Sequence, residues 1–183
     1  MKTPLLYGTL IAIIGALLTF GLFFAGYHDT PEKMKSVGWL PGVVGFVATI
    51  VGYILALRER RAEYPADKEW GYGSAFGTAF MTGLVSTVIG AVLSYVYLAI
   101  VNPHFAEVTY QAQVAAMEAK GIPSAQIEQA EPMMRKFINP TVMVVMQLVL
   151  GTILSAVIAL IVAIFFRNRE QPLAAVEATP PAL

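Results

Sequence analysis

His28 and His104 are the only two histidines in the sequence, and no other side-chain type ordinarily titrates near neutral pH. Each follows a long apolar run, and Asp29, Glu32 and Glu107 lie close to them in the chain. Imidazole and carboxylate together can hold a divalent metal or sense pH. A metal site needs several ligands at a workable spacing, and these residues show none. No metal is therefore expected, and His28 and His104 are the residues a metal would use. The chain has no Cys, which removes disulfides, thiol catalysis and thiolate metal sites. It also lacks a phosphate-binding P-loop, an H-E-x-x-H helix and a G-x-S-x-G elbow. Neither a cofactor nor an enzymatic activity is expected.

The remaining polar chemistry lies inside apolar runs and is uncharged: Ser and Thr hydroxyls, Gln147, Tyr53, Tyr95 and Tyr97. No Asp, Glu, Lys, Arg or His occurs in residues 3–27, 37–57, 71–101 or 139–166. Proton-coupled transport and intramembrane hydrolysis usually need an ionisable group at membrane depth, so both lose ground here. A glutamine in such a run bonds to a neighbouring helix or lines a polar path. Gln147 and Tyr53 are the candidates for that lining.

These charge-free runs dictate the elements. Only 13% of residues are charged and 57% are hydrophobic, against about 25% charged in an ordinary soluble domain. Each run reaches the roughly 20 residues needed to cross a bilayer core, and in lipid the backbone must satisfy itself as helix. The expectation is an all-α membrane protein with four spans, near residues 5–27, 37–57, 72–101 and 140–166. The first run is read as a retained span, since no small-residue cleavage site follows it. Residues 171–183, with three prolines, read as a disordered cytoplasmic tail.

Between the third and fourth runs lies a polar stretch bounded by Asn102-Pro103 and Asn139-Pro140. Asn is a good N-cap and Pro a good first helical residue, so both pairs read as helix starts. Gly121 divides the stretch into helices near residues 103–120 and 124–137, with Ser124 as the second cap. Ile127, Ala130, Met134, Phe137 and Ile138 form one apolar stripe on the second helix, and Glu131–Arg135 is an i,i+4 pair. An amphipathic helical cap over the bundle is expected.

Lys2, Arg58, Arg60, Arg61, Lys68, Arg167 and Arg169 fall on one side, and Lys33, Lys35, Lys120, Arg135 and Lys136 on the other. The positive-inside rule then makes both termini cytoplasmic and the cap extracytoplasmic. Zero net charge and no basic block argue against nucleic acid as a partner. The expected partners are the lipid bilayer and a second copy or another membrane protein.

Small residues recur at four-residue spacing, as helix association in lipid requires. Ser86, Gly90 and Ser94, with Gly151 and Ser155, are the candidate packing or dimer face. "YGT" at Tyr7 matches "YGS" at Tyr72, and "RER" at Arg58 matches "RNR" at Arg167. Duplication of a hairpin and independent recurrence of membrane-anchor residues both account for this.

"YGSAFGTAFMTG" opening the third span, "VNP" closing it and "GIPSAQIEQAEPMMRKF" before the fourth resemble an uncharacterised bacterial family. Its members are small four-span membrane proteins carrying a domain of unknown function. The resemblance runs from about Leu5 to Arg169 and implies a four-helix fold in the bacterial inner membrane. It brings no catalytic or binding residues. The expected function is a non-enzymatic membrane protein acting through helix association. The alternative is a small transporter or channel with a polar path near Gln147 and Tyr53.

Overall fold

The computed structural model describes residues 2–65 and 69–167. The tail at 171–183, Lys68 and Arg169 lie outside them. The described residues are all-helical, and four helices are long and apolar enough to cross a membrane. These are α1 (Lys2–Phe24), α3 (Leu40–Ala62, preceded by the short α2, Pro31–Val37), α4 (Tyr72–Val96, continued by a π-helical turn, Tyr97–Val101) and α7 (Pro140–Phe166). Between α4 and α7 come α5 (Phe105–Glu118) and α6 (Ser124–Ile138).

α4 is the central helix and packs against α7, α1 and α3. Glycine lets the backbones approach where helices cross without a hydrophobic drive. At Gly8 a Cβ would stand 2.6 Å from the carbonyl oxygen of Thr82, so α1 and α4 touch backbone to backbone. Tyr53, Leu57, Trp70, Ala75, Ala79, Ala159 and Ala163 belong to the hydrophobic core, at the end where α1 begins and α7 ends. Val149, Ile153, Ile164 and Phe165 on α7 face outward, as lipid-facing residues do.

α5 and α6 pack on each other at the opposite end, α5 against α2 and α6 against the start of α7. Arg135 ties them together. Its Nη1 donates to Glu107 at 3.0 Å, its Nε donates to Glu131 at 2.7 Å, and its guanidinium lies 4.1 Å from the Tyr110 ring centre. Of the α6 stripe, Ile127 and Ile138 are buried, Ala130 and Met134 half-buried, and Phe137 exposed.

The helix ends show which signals operate. Gly26 and Gly121 take positive φ and close α1 and α5 in the same way. The residue after each glycine bonds back to Leu22 or Met117, and the glycine itself to Phe23 or Glu118. Asn139 caps α7, accepting from the Thr141 N–H at 3.0 Å, with Pro140 in the first turn. The other Asn-Pro pair does something else. Asn102 is buried, its N–H closes the π-turn on the carbonyl of Tyr97, and α5 begins after His104 with no side-chain cap. Ser124 is the first residue of α6 and Pro123 takes the cap position. The separate α2 is started by Thr30-Pro31, with Thr30 Oγ1 accepting from Lys33 at 3.4 Å. The paired tyrosines diverge: Tyr7 donates to the Glu59 carboxylate at 2.7 Å, Tyr72 to the Leu160 carbonyl at 3.1 Å.

Candidate functional site

Between the halves of α1, α3, α4 and α7 nearest the α5–α6 hairpin lies a crevice of about 310 Å³. That volume is at the lower end of small-molecule sites. Its walls are built from the small-residue positions. Gly15 and Gly45 leave open space where a Cβ would stand, and Gly90 stands opposite the Gln147 amide. Thr19 and Thr49 return their hydroxyl protons to Gly15 and Gly45 at 3.0 and 2.8 Å. Ser86, Thr87, Ser94 and Gln147 behave differently, making no hydrogen bond with the described residues. A hydroxyl in an apolar helix ordinarily bonds back to its own backbone. Three that do not, beside a free amide, form a set of uncharged donors and acceptors facing open space. Gln147 is exposed, roughly 10 Å along α7 from Pro140.

A smaller cavity of about 130 Å³ continues the crevice towards the termini, sharing Thr49, Ser86, Thr87 and Gly151. It ends at a fully buried hydrogen bond of 2.6 Å between Tyr53 and Ser155. Gly83 faces this pair so closely that a Cβ would overlap both oxygens. Below the plug lies the hydrophobic core of alanines, Leu57 and Trp70. The arrangement is a crevice of apolar walls set with uncharged polar groups, with an aromatic hydroxyl at its inner end.

At the hairpin end Tyr97 lines the crevice. Its hydroxyl is held by His28 Nδ1 and by the Asn102 side-chain amide at 2.8 Å. Phe20, Phe23 and Phe105 meet its ring edge-on at 5.5, 5.9 and 5.7 Å. The π-turn places this residue: its wider loop tips Tyr97 inward and brings Asn102 back beneath it.

Burial holds His28 below its ordinary pKa of 6.5, opposed by the neighbouring Asp29 carboxylate. The neutral form is therefore favoured in the folded protein. Its contribution to stability is whole above pH 6.5 and is lost as pH falls from there through the depressed folded value. The groups facing the ring are Tyr97, Phe105 and Asp29, the last paired with Lys33, and Asn102 shares the Tyr97 hydroxyl with it. Lowering the pH from about 7.5 to about 5 in detergent is expected to reduce Tm by roughly 2–4 °C for each kcal/mol lost, and His28→Gln to flatten that slope. An unchanged slope in the variant overturns the assignment.

The structure disperses the candidate metal residues. His28 Nδ1 is engaged by Tyr97, His104 is exposed, and among the described residues no three His, Asp or Glu side chains gather to share an ion. It brings the candidate lining and packing residues together. Gln147, Ser86, Gly90, Ser94 and Gly151 line the crevice, while Tyr53 and Ser155 form its floor. The faces considered for a dimer thus turn into the chain's own bundle. Sequence reasoning missed the His28–Tyr97–Asn102 cluster and Gly83. A π-turn leaves no periodicity signal distinct from an α-helix, and Gly83 reads like any other small residue.

No curated protein and no solved structure matches the chain. The sequence profile of the protein family of unknown function DUF4199 matches residues 6–168, which hold all four spans, the crevice and the hairpin. The chain belongs to the DUF4199 family.

Proposed function

We propose that the chain is a non-enzymatic integral membrane protein that takes a small uncharged polar molecule into the crevice, as one half of a transport path. The observation that carries this reading is the set of partner-free, uncharged polar groups at membrane depth: Ser86, Thr87, Ser94 and Gln147. Groups of this kind are costly in hydrocarbon unless water or a solute satisfies them. The absence of charge from the lining selects a neutral ligand, and the Tyr53–Ser155 plug closes the other half. The reading carries an orientation: a bacterial inner-membrane protein with cytoplasmic termini and an extracytoplasmic cap formed by α5 and α6. Arg58, Arg60, Arg61 and Arg167 at the terminal end support it.

The test is glycerol entry into proteoliposomes, followed by light scattering after rapid mixing. Wild type, in which the Tyr53–Ser155 plug must open for each passage, is expected to admit glycerol faster than protein-free liposomes. Gln147→Leu should slow entry and Tyr53→Ala, which opens the plug, should speed it, at equal incorporation. Rates equal to protein-free liposomes for all three overturn the reading.

Helix association is a second reading, favoured by Gly42. It is exposed on α3, and a Cβ there would meet nothing within 4 Å. A second copy seated on that face would be displaced by Gly42→Leu, read as loss of in-membrane crosslinking.

A further inference from the structure

At the opposite end from the hairpin, a separate groove of about 280 Å³ runs between Pro4 at the start of α1 and the outer face of α4, bounded above by Arg60, Tyr64 and Trp70. Its upper part is cationic and hydroxylic. Among the described residues Arg60 has one loose partner, Glu63 at 3.9 Å, for a guanidinium that carries five N–H donors. Tyr64 and Ser74 hydroxyls are 3.2 Å apart, so one donates to the other and the second proton has no acceptor among the described residues. The nearby Glu59 carboxylate turns away, accepting from Tyr7 and Thr3 of α1. Trp70 is anchored by its Nε1–H on the Phe166 carbonyl at 2.8 Å and by the Tyr64 ring, giving the groove a fixed wall.

The lower part is apolar and follows the helix. Below Ser74, Gly77, Thr78 (its hydroxyl returned to the Ser74 carbonyl at 2.8 Å) and Met81 follow at helical spacing and carry the groove roughly 10 Å along α4. Gly77 has nothing within 4 Å of where its Cβ would stand, so an alkyl chain can lie against bare backbone.

We infer that this groove binds an anionic glycerophospholipid, its phosphate on Arg60 and the Tyr64–Ser74 hydroxyls and one acyl chain along Gly77 and Met81. Charge complementarity selects an anion, and continuity of the cationic and apolar parts selects a lipid over a free phosphate. A guanidinium–phosphate pair with hydroxyl support is a strong, geometry-selective contact.

The full chain, purified in mild detergent and analysed by native mass spectrometry, should retain phosphatidylglycerol about tenfold over diacylglycerol, which lacks the phosphate, the discrimination expected of one charge-assisted hydrogen bond. Arg60→Gln should remove that preference. Gly77→Leu should lower retention of both lipids. Arg58→Gln, whose arginine lies outside the groove, should change nothing. Equal retention of the two lipids by wild type, equal effects of the Arg60 and Arg58 changes, or full competition by inorganic phosphate each overturn the inference. The last would assign a free-anion site.

Discussion

Gly83→Ala is expected to be among the most damaging single changes in the chain, although it adds only a methyl group. The new Cβ would overlap both Ser155 Oγ and Tyr53 Oη and lie 2.9 Å from Ser155 Cβ. Tyr53 is fully buried and Ser155 nearly so, and both hydroxyls must swing away from Gly83, which breaks the bond between them. Overpacking a close-packed interior costs about 1–3 kcal/mol. Separating the buried Tyr53–Ser155 pair adds a penalty on the order of 1–3 kcal/mol for the polar groups left unpaired. Circular dichroism through a thermal ramp in detergent reads the loss. Removing both obstructing oxygens, in Gly83→Ala with Tyr53→Phe and Ser155→Ala, should recover most of it, because contacting residues are non-additive. Equal losses in the single and triple variants would show that the contact is not the cause.

The second large effect is at Trp70. Its indole is buried, packs edge-on against Tyr64 at 5.1 Å between centroids, and donates to the last carbonyl of α7. That single residue joins the segment entering α4 to the end of its main packing partner. Replacing a buried tryptophan by alanine typically costs about 3–5 kcal/mol, and an orphaned helix-end carbonyl deepens the loss. Trp70→Ala should therefore lower Tm by roughly 6–20 °C, taking about 2–4 °C for each kcal/mol. Trp70→Phe should restore the packing share and leave the hydrogen-bond share missing. A Trp70→Ala variant as stable as wild type would remove this residue from the core.

Charge placement made the four spanning helices legible. A membrane tolerates no unpaired ion, so exclusion of charge marks each span. Helix starts were legible where an oxygen-bearing cap precedes proline, as at Asn139-Pro140, and the same logic overlooked at Thr30-Pro31 accounts for α2. Asn102-Pro103 carries the same letters and serves another purpose, because burial beside Tyr97 gives the Asn102 amide a better partner than a helix end. The crevice was only half legible. Gln147 and Tyr53 were readable as polar lining, but Gly90 and Gly151 belong to the small-residue pattern, Gly83 lies off it, and the three meet different environments. Gly83 meets the Tyr53–Ser155 bond, Gly151 meets Thr87, and Gly90 faces the Gln147 amide across the crevice. The difference lies in the side chain on the opposing helix, which spacing along one helix does not encode.

A polar, water-accessible crevice inside the bundle is the central claim, and the absence of native Cys permits a direct test. Single cysteines at Ser86 and Ser94 would line the crevice, while Val92→Cys and Val149→Cys would face outward from positions 60% and 51% exposed. A thiol must ionise to react, so a small charged methanethiosulfonate labels only hydrated positions. In proteoliposomes the Ser86 and Ser94 variants should be labelled and the Val92 and Val149 variants should not. Crevice cysteines that stay unlabelled until the protein is denatured would contradict the account, making the space between α3 and α7 dry packing.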